Sequence, residues 1–203
     1  MSGSEENKEN ENERGLMVEN IINKAIQFAT EAHKGAVRKG SKLPYILHPL
    51  EAGVIVSSMT NDENVIAAAI LHDVLEDTDV TYEELKKEFG VVADYVSAES
   101  ENKRKELPPE ATWKIRKQET IEHLQQETRK EIKIIALADK LSNIRSMYQD
   151  YQEVGDKLWE RFHEKRKEEQ GWYYKSLVTA MQDMDCYLAW QEYKVLVEKV
   201  FGE

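Results

Sequence analysis

The chain has 203 residues, 40% apolar and 33% charged with nine Gly and four Pro, enough to bury a substantial core and weighted towards helix. Its formal charge of −11 disfavours general binding to nucleic acid or an anionic membrane, so a polyanionic ligand needs a local basic patch or a bound metal. The single cysteine, Cys186, excludes an intrachain disulfide framework and fits a reducing cytoplasm; its setting, "DMDCYLAW", reads as that of a small core hydrophobe.

The start, "MSGSEENKENENERG", is polar and acidic without an apolar centre, and we expect a disordered tail over residues 1–15. A single domain is expected over 16–203. "LMVENIINKAIQFATEAHKG" carries Ile21, Ile22, Ala25, Ile26 and Ala29 at helical spacing, with Gly35 as its stop. A loop, "AVRKGSKLPYILHP", leads into a second helix that Pro49 should open. Asn61 or Asp62 can cap a third, expected to run through "VIAAAILHDVLED" as far as Asp77. Thr81 and Glu84 have capping-box spacing ahead of "TYEELKKEFG", and Gly90 ends that helix. "VVADYVSAES", "ATWKIRKQETIEHLQQ" and the more apolar "KEIKIIALADKLSNIRSMYQDY" follow as helices, with one or two more around Gly171. No segment shows useful β-alternation, an internal repeat, a Gly-rich phosphate loop, or the ~20-residue apolar run needed to cross a bilayer. The expected class is all-α, and no membrane association is expected.

Two clusters interrupt this apolar patterning. His72, Asp73, Glu76 and Asp77 end the buried run Ala67 to Leu71; on a continuing helix they would share one broad face. Asp139 follows the apolar run Ile134 to Ala138, where a lone carboxylate must be paired or bind a metal. A bridge from Asp139 to Lys140 is awkward, because consecutive helical positions point about 100° apart. Asn143 adds a second polar group to the Asp139 face, and His48 projects from the end of a held loop. Together His48, His72, Asp73 and Asp139 offer two imidazoles and two carboxylates, a set suited to Mn²⁺, Zn²⁺ or Fe²⁺ with positions left for water.

In that order on an all-α chain, these four residues resemble the HD-domain metal-dependent phosphohydrolases. "RKGSKLPYILHP", "LHDVLEDTD" and "ALADKLSNIR" further resemble the hydrolase domain of bifunctional (p)ppGpp synthetase/hydrolases, and small stand-alone alarmone hydrolases above all, over about Ala25 to Ser146. The resemblance implies a compact HD-type fold of roughly eight to ten helices, with Mn²⁺ on His48, His72, Asp73 and Asp139. It implies that Glu76 and Asp77 assist deprotonation of the metal's water and the proton transfers. Arg38 and Lys39 would contact the nucleotide, the guanidinium packing on the base; Asn143 would make a polar contact, Lys103 would lie near the phosphates, and Tyr173 would pack on the nucleoside. The loop from Lys39 to Pro44 is one residue longer than in common members. The implied reaction removes the 3′-pyrophosphate of a small guanosine polyphosphate in the cytoplasm, leaving oligomeric state open.

Two alternatives stand beside it. A different HD nucleotide phosphohydrolase, either a 5′-nucleotidase or an NADPH 2′-phosphatase, would use the same ligands, although the basic loop and Glu76-Asp77-Thr78-Asp79 favour the alarmone class. A catalytically inactive scaffold or sensor would have lost a ligand or the Glu, and all are present.

Overall fold

Helical spacing of apolar residues dominates the computed structural model, which describes residues 20–202 except 39, 41 and 105. The expected acidic tail and Lys39 lie outside the described residues. Among the described residues no strand forms; Val37 and Pro44 make an isolated antiparallel bridge that closes the loop carrying Arg38.

Helix α1 (Ile21–Ala32) begins where the Asn20 side chain accepts the Ile22 N–H at 2.9 Å. Helix α2 (Leu47–Ser57) starts two residues before Pro49. That shift is harmless, because the missing N–H of Pro49 still falls within the first turn, where backbone donors lack intrahelical partners. Helix α3 (Glu63–Leu71) is capped by Asp62, whose carboxylate accepts from Asn64 N–H at 2.9 Å, and every residue from Val65 to Leu71 is buried. It packs against α1, α2, α6 (Val91–Glu99) and α8 (Lys130–Val154), which makes it the central rod of the fold. Each Ile or Leu fully buried along this seam contributes roughly 1.5–3 kcal/mol relative to exposure.

The expected continuous helix to Asp77 is broken. His72 and Asp73 form a turn, and a separate short helix, α4 (Val74–Asp77), follows. Helix α5 (Tyr82–Phe89) has the expected capping box and ends at Gly90, whose φ of +55° favours a residue without Cβ. Helix α7 (Pro109–Gln126) and α9 (Lys167–Ala180) pack together; a 3₁₀ segment (Gly155–Arg161) joins α8 to the loop before α9, and α10 (Leu188–Phe201) lies along α8 and α9. Gly171 sits inside α9, where the Phe201 ring occupies the space a side chain would fill. Cys186 is not a core residue: it lies exposed in the turn before α10. The apolar neighbours that suggested burial, Ala189 and Trp190, belong to the next helix and face inward while the turn faces out.

One close approach positions the site. A Cβ on Gly53 would stand 2.6 Å from Ile70 Cγ1, so α2 and α3 meet nearly backbone to side chain. Their packing puts the start of α2, with His48, beside the end of α3, with His72.

Candidate metal centre

His48 and His72 are both buried and lie with ring centroids 5.1 Å apart. His72 Nδ1 lies 2.7 Å from the Ala69 carbonyl, an acceptor only, so that nitrogen carries the proton and Nε2 faces inward. His48 Nδ1 lies 2.8 Å from Ser142 Oγ, and Ser142 in turn donates to Glu51 Oε2 at 2.7 Å. With the hydroxyl proton committed to Glu51, the hydroxyl oxygen accepts from His48 Nδ1, leaving His48 Nε2 as the inward atom. Both imidazoles thus present the same nitrogen to one point.

Two carboxylates meet them there. His48 Nε2 lies 3.1 Å from Asp139 Oδ1 and 3.5 Å from Asp73 Oδ2; His72 Nε2 lies 3.0 Å from Asp73 Oδ2 and 3.5 Å from Asp139 Oδ1. Ligand atoms of His48, His72 and Asp139 all fall within 4.8 Å of one another. Burial opposes charge on His72, yet Asp73 and Asp139 outweigh it and hold its pKa well above the usual value. Burial alone would raise Asp139; Lys140 and the imidazoles hold it far below the carboxylate range. His72 Nε2 is buried without a well-formed hydrogen bond. An imidazole nitrogen aimed inward among carboxylates, with its ring held from behind at Nδ1, fits a divalent transition ion that would replace the proton there and accept mixed nitrogen and oxygen ligands.

The expected awkwardness of an Asp139–Lys140 bridge is overturned: Lys140 Nζ pairs directly with Asp139 Oδ2. The four-carbon stem of lysine bends back across the 100° between the two positions. Arg145 pairs instead with Glu51 at 3.0 Å and Glu192 at 2.7 Å. Asn143 donates to Asp139 Oδ1 at 2.7 Å, as their shared face implies, and accepts from both terminal nitrogens of Arg38 at 3.4 Å.

A cavity of about 790 Å³ opens over this centre. Glu76 lines it, accepting the Glu101 backbone N–H at 2.7 Å and pairing with Lys103 at 3.2 Å. Burial raises its pKa against the opposing pull of that N–H and of Lys103. Asp77 pairs closely with Lys103. Tyr45 donates to Asp73 Oδ2 at 2.5 Å and approaches Asp77 Oδ2 at 3.3 Å, so one hydroxyl spans both acidic groups. Burial and then Asp73 push its pKa up, keeping that proton in place. Tyr173, 4% exposed, also lines the cavity, and its hydroxyl is buried without a partner. Arg38 lines an adjoining cavity of about 480 Å³, which shares Tyr45, Asp77, Lys103 and Asn143 with the first. Sequence reasoning missed Tyr45, Ser142 and Glu51. Tyr45 stands within "LPYILHP", but nothing in the spacing of Ser142 and Glu51 marks partners of His48.

The HD-domain family profile matches residues 25–167, and the chain belongs to this family. Its relatives narrow the kinship. It is 36% identical over 131 residues to the Danio rerio guanosine-3′,5′-bis(diphosphate) 3′-pyrophosphohydrolase MESH1, covering 63% of this chain and 69% of that protein. It is 48% identical over 69 residues to the Aquifex aeolicus guanosine-3′,5′-bis(diphosphate) 3′-pyrophosphohydrolase, covering 34% of this chain but only 10% of the relative's length. A solved structure of a metazoan orthologue of SpoT, described as hydrolysing ppGpp with a role in starvation responses, superposes with a TM-score of 0.68 at 27% identity, covering 89% of this chain and 93% of that one. A crystal structure from Listeria monocytogenes EGD-e gives a TM-score of 0.67 at 31% identity, covering 79% and 99%. Among the described residues, no helix is long and apolar enough to cross a membrane.

Proposed function

We propose that this chain is a metal-dependent hydrolase that removes the 3′-pyrophosphate of (p)ppGpp, yielding GDP or GTP and pyrophosphate, and that residues 16–203 act as one cytoplasmic catalytic unit. The observation that carries the reading is the convergence of two imidazole nitrogens and two carboxylate oxygens beneath a cavity whose wall holds Glu76, Asp77 and Lys103. Relatives whose names state this activity support it.

We assign the metal to His48, His72, Asp73 and Asp139 and take it to be Mn²⁺; when bound it supplies Lewis acidity and a water of lowered pKa. The remaining work falls to the chain. Attack of a water oxygen on the phosphorus attached to the ribose 3′-oxygen forms one P–O bond and breaks the P–O3′ bond. Glu76, whose raised pKa suits proton exchange closer to neutrality, takes the water proton and returns one to the departing 3′-oxygen, which leaves as a hydroxyl. Asp77 tunes Glu76 through their shared Lys103. Lys103 carries the charge that meets phosphate when substrate enters. Arg38, held by Asn143, packs against the base from the adjoining cavity, and its sequence neighbour Lys39 adds a positive charge for the nucleotide.

The test is purified protein with Mn²⁺ and a panel of ppGpp, pppGpp, NADPH and deoxynucleoside monophosphates. Pyrophosphate should be released from ppGpp, lost on chelation and restored by Mn²⁺. Release of orthophosphate alone would reassign the bond, and turnover confined to NADPH or the monophosphates would reassign the substrate.

A further inference from the structure

The wall of the larger cavity formed by the end of α6, by α7 and by α9 carries charge that the scheme above does not use. Lys117 and Arg116 both pair with the single carboxylate of Glu101, Lys117 at 2.9 Å, and Arg116 is only 8% exposed. Lys117 also stands 4.9 Å above the Tyr173 ring. Burial pushes the Lys117 pKa down, with Glu101 pulling the other way, and Lys140 is among the charges that lower it. Lys140 in turn pairs with Asp139. Arg116 and Lys117 thus share Glu101 as their one paired carboxylate, an excess of positive charge in a largely buried setting.

Two polar atoms on the same wall are buried without hydrogen-bond partners: the Tyr173 hydroxyl and Glu99 Oε1. Buried polar groups are normally satisfied, so both imply an occupant. Burial pushes the Glu99 carboxyl up to about 8, against the pull of Lys140, so at neutral pH it offers a proton rather than a negative charge. Donors and excess cations on one wall describe an anion site. Arg38 lines only the adjoining cavity, so this wall is separate from the proposed base contact.

We propose that Lys140, Lys117, the Tyr173 hydroxyl and Glu99 form a subsite for the outer phosphate of the 3′-diphosphate. It rests on the functional reading above. The subsite makes the enzyme select a diphosphate over a monophosphate at the 3′ position, and it places Tyr173 on the leaving pyrophosphate rather than on the nucleoside.

Calorimetric titration of the metal-loaded protein with inorganic pyrophosphate and with orthophosphate tests this without turnover. Both anions can reach the metal, but only pyrophosphate reaches the outer subsite. Tyr173→Phe and Lys117→Met should each weaken pyrophosphate about tenfold, as loss of one hydrogen bond to a charged group implies, while orthophosphate changes little. Lys117→Arg should restore part of the loss. An unchanged ratio of the two affinities in both variants would overturn the subsite, as would an equal loss for both anions. Nucleotide titrations then locate the phosphate. The penalty should follow the length of the 3′ chain; a penalty that follows the 5′ chain, seen with GDP and GTP, would overturn the assignment. If the wild type hydrolyses no ppGpp, the functional reading fails separately, and the pyrophosphate titration still decides the subsite.

Discussion

Asp139 and Glu76 are carboxylates on one cavity, and their partners separate their roles. Asp139 is surrounded by two imidazoles, an ammonium and an amide, so it is held ionised. Glu76 accepts one backbone N–H and shares one lysine with Asp77, and burial leaves its pKa raised. Asp139→Ala should therefore lose metal, measured by elemental content after purification. Glu76→Ala should keep metal and lower kcat by about 10²–10⁴-fold if Glu76 is the base. The rate should fall on the acid side around a pKa raised from the ordinary glutamate value by burial. Removing the Lys103 charge should move that limb to higher pH in a pH–rate profile, because Lys103 lowers the Glu76 pKa. Arg38→Lys keeps the charge but loses the planar guanidinium. A stacking contact is worth roughly 1–3 kcal/mol, so KM for ppGpp should rise about tenfold with metal content unchanged. An unchanged KM would mean that Arg38 only braces Asn143. Glu99 makes a stability prediction. Its folded pKa of about 8 exceeds the model-compound value of 4.5, so the native state binds more protons between those limits. Stability should fall as pH rises through that window, and Glu99→Gln should flatten the fall in thermal melts at pH 5 and pH 8.

At the scale of elements, the capping signals were legible because they act over three or four residues. Asp62 caps α3 and the Thr81–Glu84 box opens α5, both as local spacing implies. The end of α3 was not legible. Nothing in "LHDVLED" announces that the helix stops at Leu71; the turn at His72–Asp73 lies against His48 on α2 and Asp139 on α8, which are distant in sequence. The contact between α2 and α3 gives a direct test. Gly53→Ala would force a Cβ to within 2.6 Å of Ile70 Cγ1. Overpacking of this kind costs about 1–3 kcal/mol. Chemical denaturation should register that loss, and weaker metal retention should accompany it, since the same contact brings His48 beside His72.

Across the whole molecule, a chain of polar contacts runs from the candidate metal centre to the surface: His48 to Ser142, Ser142 to Glu51, Glu51 to Arg145, and Arg145 to Glu192 on α10. It crosses three helices and backs one imidazole. Partners of this kind behind metal ligands typically change affinity 10–100-fold when removed. Ser142→Ala should weaken metal binding within roughly that range, read by competition with a chelator, whereas Glu192→Gln at the exposed end should change it far less. Equal effects at both ends would mean that the chain acts through general stability. By itself the sequence determined the all-α class, most helix starts, and the candidates His48, His72–Asp73 and Asp139. These follow from periodicity, capping and short motifs, which are local and survive without knowledge of neighbours. Tertiary structure alone decided that Lys140 closes on Asp139, that Cys186 faces out, that Tyr45 spans Asp73 and Asp77, and that Ser142 and Glu51 stand behind His48. Those contacts join residues up to 94 positions apart, or turn on how a side chain bends against its packed surroundings, and neither is carried by spacing along the chain.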